Sequence, residues 1–409
     1  MHVSPLHAPS FLAPFCRFQF FFDIMSIAPY RILMSRATWD NVANPYFDAL
    51  KPTARRIVNG ENIGDNDGTP GVYFRKQISD RFAQLEAAGF PEELAMLHCL
   101  LNTKLPTIFA ESHLVGHGLS DWNQAELDIM GDVGIAVPVT IFDNGRHIAR
   151  AEDVHRTPFE GTLLYVPGLL FESGAGREPC DFAKAAFGDY DGDDAEINED
   201  GFYQTYERRL LPSFLYANLV CEQSNKKGVV TIPGLGCGMF AGPFENMLGE
   251  YLQAAIYKLL QQHHSALPHI KAVYFDPYNE CTNAEYVVGH IKYLVRPLAK
   301  NNYMKPQLCH PSVFEEQPGD DYGNCHLFSF VAWDHVSWPG NDYWKGSRTT
   351  DDGVKAAATS SMYAMTGIQG EYDAAAMKYV PPAQFDDWWE VVDHHKLEIQ
   401  VTRETLLIL

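Results

Sequence analysis

Three aspartates, Asp334, Asp342 and Asp352, are separated by seven and nine residues in a stretch that also carries Trp333, Trp338 and Trp344, "WDHVSWPGNDYWKGSRTTDD". Scattered acids are common in solvated loops. Tryptophans beside them add apolar walls that raise a carboxylate pKa and stack on a flat ring. Carboxylates so placed hydrogen-bond sugar hydroxyls, orient a water and stabilise an oxocarbenium-like transition state. A second stretch, "TIPGLGCGMFAGPFENMLGEYLQAAIYKLL", sets Gly234, Gly236, Gly238 and Gly242 between a β-branched run at 228–232 and the helically spaced Leu248, Leu252, Ile256 and Leu260. Backbone N–H groups in a strand–turn–helix N-terminus are a recipe for binding phosphate. The alternating glycines miss the dinucleotide fingerprint, and no Gly-Lys-Ser/Thr follows. Spacing alone therefore leaves a phosphate loop and a structural turn equally open. Taken together, the two stretches suggest a nucleotide-sugar ligand cleaved at a glycosidic carbon.

Both loops follow predicted strands. "GVVTI" precedes the glycines and the apolar run 327–332 precedes Asp334, while "TTDDGVKAAATSSMYAM" predicts a helix starting near Asp351, where acids favour the first turn. "VGIAVPVTIFDNGRHIAR" reads as a hairpin turning at Asn144-Gly145, "GTLLYVPGLL" and "IKAVYF" as further strands, and "YQTYERRLLPSFLYANL" as a helix. Strands alternating with helices predict a three-layer α/β/α sandwich over 126–409. Helical patterns at 31–125 predict an N-terminal extension, and residues 1–30 a tail or start-site extension, its aromatic cluster framed by Arg17 and Asp23 unlike a secretory signal.

Composition narrows the partners. A net charge of −21 argues against nucleic acid or an anionic membrane, and no apolar run of 18 residues spans a bilayer. Eight dispersed cysteines lack any Cys-x-x-Cys pair, which suits a reducing compartment, cytoplasmic or nuclear, and predicts no metal site. The acidic run from Asp189 fails the EF-hand pattern, with Asp194 and Asp200 at the sixth and twelfth places. The doublets His263-His264 and His394-His395 also lack ligand spacing.

The glycine stretch resembles the phosphate loop of macro domains, which bind ADP-ribose. "LFSFVAWDHVSWPGNDYWKGSRTTDDGVKAAAT", "GDVGIAVPVTIFDNG" and "IKAVYFDPYNEC" are similar, more narrowly, to the MavL-like effectors of Legionella and their eukaryotic relatives. These are divergent macro domains that remove ADP-ribose from arginine, including on ubiquitin. The resemblance runs from about 131 to 372. It implies ADP-ribosylhydrolase activity without a cofactor, an ADP-ribosylated protein as partner, and Asp334, Asp342 and Asp352 as catalytic, with Asp342 and Asp352 as the hydrolytic pair. It implies ligand contacts from Asp132 and Val133 at the adenine end, from Gly234, Leu235, Gly236, Cys237, Gly238, Met239 and Phe240 around the diphosphate, and from Trp338, Asn341 and Asp351. The glycine loop precedes the aspartate helix here, the reverse of ordinary macro domains, which implies a permuted connectivity. A non-catalytic ADP-ribose reader and a hydrolase of another nucleotide-sugar conjugate stay open as alternatives.

Overall fold

The computed structural model describes residues 29–64, 69–107, 121–172, 180–190 and 194–409. At its centre lies a nine-stranded sheet: β1 (Arg31–Met34), β2 (Gly134–Asp143), β3 (Val154–Pro167), β4 (Gly228–Pro233), β5 (Ile270–Asp276), β6 (Ala284–Val288), β7 (Ile291–Val295), β8 (His326–Trp333) and β9 (Leu406–Ile408). The order across it is β9-β1-β2-β3-β8-β4-β5-β7-β6. Strands β3, β8, β4, β5 and β7 run parallel. The chain therefore leaves Pro167, Trp333, Pro233 and Asp276 at one edge, side by side, where open α/β sheets bind ligands.

Seven helices matter for positioning that edge: α1 (Asn44–Val58), α2 (Glu92–Leu101), α3 (Gln124–Gly131), α4 (Glu199–Ser224), α5 (Leu248–His263), α6 (Asp351–Ala357) and α7 (Trp388–His395). Alternate residues of each strand face opposite layers. Leu164, Val166, Val230, Ile232, Phe328 and Phe330 pack with α4 and α5, through Tyr206, Leu210, Leu252 and Ile256. Tyr165, Val229, Leu327 and Val331 pack with the layer that holds α1, α2, α6 and α7. Covered on both faces, β4 is buried at every position, which is why its sequence is apolar apart from Thr231, whose hydroxyl is hydrogen-bonded to Ser329 and Gln307. The expected α/β/α sandwich is the observed one, with the glycine-loop strand β4 earlier in the chain than its sheet neighbour β8.

Two sequence expectations shift. Arg31–Met34, inside the region read as helical, is a sheet strand that pairs antiparallel with β2 and parallel with β9, so the boundary at 126 does not coincide with the sheet. Four residues are too few for alternation to show. The hairpin return does not begin at His147 either: β2 ends at Asp143, which pairs with Val154. Asn144 donates to Asp153 at 2.7 Å and Arg146 pairs with the same carboxylate at 3.0 Å, which draws the turn out into an ion-paired loop. Residues 1–28 of the expected tail and 191–193 of the acidic run lie outside the described residues. Among the described residues no helix is long and apolar enough to cross a membrane.

Candidate active site

The glycine loop touches the chain that leaves β3. A Cβ on Gly168 would stand 2.4 Å from the Gly236 nitrogen, and one on Gly236, at φ +75°, would meet Leu169 O and the Tyr206 hydroxyl at 2.9 Å. Only glycines permit this approach. Tyr206 locks it by donating to Leu235 O at 2.5 Å and accepting from Leu169 N at 3.3 Å. Phe171 N donates to Phe240 O at 2.8 Å, whereas the N–H groups of Gly236, Gly238, Met239 and Phe240 donate to no described atom. Space is open around Gly238. Successive free amides in a turn form an anion-binding concavity. The thiol of Cys237 points at Leu235 O, and burial raises its pKa well above the ordinary thiol range.

The helix that follows plays a smaller part than its sequence suggests. It starts only at Leu248, beyond a 3₁₀ turn at Gly242–Phe244, and its Gly249 N–H donates to Glu280 Oε2 at 2.6 Å. A carboxylate thus already sits at the positive end of α5. The loop amides, rather than that helix N-terminus, are the free donors.

On the neighbouring strand end, the three aspartates have different surroundings. Asp334 is buried; its Oδ1 accepts from Val336 N at 3.0 Å and Ser337 N at 2.6 Å, while its Oδ2 has no partner among the described residues. Burial raises its pKa above the usual carboxylate range. Asp342 has no spare capacity. Its Oδ2 accepts from Thr349 N at 2.8 Å, Thr349 Oγ1 at 2.6 Å and Thr350 N at 3.3 Å, and its Oδ1 from Thr350 Oγ1. A Cβ on Gly353 would overlap that same Oδ1 at 1.7 Å, so Asp342 is sealed against the start of α6.

Asp352 is fully buried, with Oδ1 2.6 Å from Thr350 Oγ1 and Oδ2 unpartnered among the described residues. Burial first, then the charges of Asp334, Asp342 and Asp351, push its pKa well up. Thr350 Oγ1 already accepts from Gly353 N at 3.1 Å and lies against both Asp342 and Asp352. One hydroxyl proton serves only one of those two contacts. The neutral carboxyl of Asp352 supplies the second proton. Asp342 is therefore an anchor, and the sequence pairing of Asp342 with Asp352 separates into two roles; the carboxylate oxygens without a partner belong to Asp334 and Asp352.

The remaining expected contacts divide. Asn341 is buried beside this loop with Oδ1 unpartnered. Asp351 is engaged by Ala332 N at 2.9 Å and Lys355 Nζ at 3.1 Å. Trp338 is buried, donates to Lys104 O at 3.2 Å and meets Trp344 edge to face, so it walls the loop and offers no open face for stacking. Asp132, at the C-terminus of α3, accepts from Thr38 Oγ1 at 2.9 Å, Arg208 Nε at 3.0 Å and Arg209 Nε at 3.2 Å. An adenine amino group would have to compete with two guanidinium groups there. Val133 is buried just before β2.

Sequence reasoning missed the groups that brace these loops. Arg209, fully buried, joins Asp132, Gly168 O at 2.8 Å and Asp181 at 2.8 Å. Asp181 also accepts from Leu170 N and lies 3.4 Å from His335, beside Cys180. Cys180, Asp181 and His335 make the one group among the described residues close enough for a metal ion. Asp181 is already committed to Arg209 and Lys184, and burial holds the thiol protonated, so Asp181 braces the loops through those two cations and the trio reads as structural. No spacing signal betrays it, because His335 and Arg209 reach Cys180-Asp181 from distant parts of the chain.

The chain matches the family model described as macrodomain effector MavL over residues 30–385. It belongs to the MavL macrodomain effector family. No curated protein matches it. Membership suggests ADP-ribose-related chemistry for the chain, and the MavL-family match begins at residue 30, which takes in β1. It spans the segments that follow β3, β4, β5 and β8. It also takes in the bidentate pair that holds the far end of the aspartate loop in this MavL-family chain: Arg348 donates to Asp143 Oδ1 at 2.9 Å and Oδ2 at 3.0 Å, with Tyr372 OH adding a third donor at 2.8 Å.

Proposed function

We propose that this macrodomain protein releases ADP-ribose from modified protein side chains, with arginine as the linkage and ubiquitin as a carrier. The observation that carries the proposal is the pair of buried oxygens without a described partner, Asp334 Oδ2 on the loop after β8 and Asp352 Oδ2 at the start of α6, together with the free glycine-loop amides after the neighbouring β4. A module that only binds a doubly anionic ligand gains nothing from buried carboxylates close to it.

The diphosphate lies on the amides of Gly236, Gly238, Met239 and Phe240. Neutral Asp352 accepts a distal-ribose hydroxyl through Oδ2 without adding charge. Anionic Asp334 takes a proton from a water through Oδ2 as the water oxygen bonds to the anomeric carbon. The bond from that carbon to the guanidinium nitrogen breaks, its electron pair leaves with the guanidine, and the proton on Asp334 passes to that base. ADP-ribose and the arginine cation are released with Asp334 restored. The scheme calls for no cofactor, and the free described cysteines fit action in the cytoplasm or nucleus.

Calorimetry tests the ligand. ADP-ribose is expected to bind and AMP to bind much more weakly, because only the former spans the amide run. Equal affinities for the two remove the diphosphate assignment.

A further inference from the structure

Lys104 belongs to neither loop. It follows α2 in the N-terminal helical region, and the next residue forms a parallel bridge with the aspartate loop: Leu105 N donates to Val336 O at 3.1 Å, and Trp338 N to Leu105 O at 3.0 Å. This brings the Lys104 ammonium into the interior, where only 2% of the residue is exposed, no acceptor among the described residues reaches Nζ, and the Trp333 ring lies 4.0 Å away. A buried ammonium without an acceptor is costly. The ring face repays part of that cost, and the charge that acts on it most is Asp334, the next residue after Trp333.

We infer that Lys104 is a positioning residue of the active site, whose ammonium keeps Asp334 anionic so that its free Oδ2 can take a proton. The inference rests on the hydrolase reading above. It makes the helical extension part of the catalytic unit.

The other charges around the pair do not supply this cation. Asp352, on α6, is a second carboxyl, whose own proton affinity Asp334 helps to raise, and it carries no positive charge. His335, next to Asp334, is kept neutral mainly by burial, and its ring faces Asp181. On the outer side of Lys104 a groove of about 270 Å³ carries Asp393, Lys396 and Glu398. Asp393 pairs with Lys396 at 2.9 Å, and Glu398 with Arg81 and His98. Burial lowers the pKa of Lys104 itself, and Asp334 opposes that shift.

The test is K104M, close in length but uncharged, with K104R as the charge-retaining control. Two readouts are followed against pH: hydrolysis of an arginine-linked substrate, and the carboxyl ¹³C resonance of Asp334, assigned by its loss in D334N. In K104M both the acid limb of turnover and the carboxyl titration are expected to move upward by about one pH unit or more, and K104R is expected to restore them. A uniform fall in turnover with both midpoints unmoved overturns the inference and leaves Lys104 as packing. If the wild type hydrolyses no linkage, the hydrolase reading fails on its own, and the carboxyl titration still decides whether Lys104 governs Asp334.

Discussion

Asp334→Asn is expected to lower turnover of an arginine-linked substrate by about 100- to 10,000-fold, the usual worth of a positioned general base. The amide still accepts from Val336 N and Ser337 N through its oxygen, so the loop turn survives. What is lost is basicity at the second position. Affinity for ADP-ribose is expected to hold or rise, because a negative charge near the diphosphate is removed. Asp352→Asn is the informative partner. Asp352 already acts as a neutral carboxyl, and an amide mimics it: Nδ2 donates to Thr350 Oγ1 and the oxygen faces the ribose. Its loss of turnover is expected to be far smaller than that of Asp334→Asn. The reverse ranking in steady-state kinetics makes Asp352 the base. The wild-type rate is expected to fall as pH drops through the Asp334 pKa, which burial places above the ordinary value of about 3.9.

The largest stability effect is expected at Arg209. Its guanidinium is wholly buried between Asp132 and Asp181 and donates to Gly168 O. Arg209→Met leaves two interior carboxylates facing fewer cations, Arg208 for one and Lys184 for the other. Breaking a buried network from one side typically costs about 3–5 kcal/mol. Because Gly168 packs on Gly236, the loss is also expected to loosen the glycine loop. Urea unfolding checks it: a midpoint equal to wild type shows that the network contributes little.

Much of this site could be read in the residues because its parts are local. The glycines follow an unbroken β-branched strand, and Thr350-Asp351-Asp352 marks a helix start, with Thr350 accepting from Gly353 N as an N-cap does. That the glycine loop comes before the aspartate loop was legible for the same reason, since it needs only chain order. What stayed hidden is whatever the fold assembles at a distance. The edge strand β9 and its neighbour β1 are three and four residues long, and β1 gains stability only by pairing with β9 on one side and β2 on the other. Glu280 reaches the start of α5 from another loop, so the sequence credited that helix with a free N-terminus. The ranking of the three aspartates was beyond sequence too. Their spacing says nothing of how many donors each accepts, and Asp342 turned out to be the one that is fully occupied. Lys104 reads as an ordinary lysine after a helix until the bridge at Leu105 turns it inward.

The central claim is tested most directly by incubating the purified protein with proteins that carry ADP-ribose on arginine, on serine or on glutamate, ubiquitin modified on arginine among them, and measuring free ADP-ribose. The account predicts release from the arginine linkage, abolished by Asp334→Asn. Tight ADP-ribose binding with no release from any linkage contradicts it and makes the protein a reader.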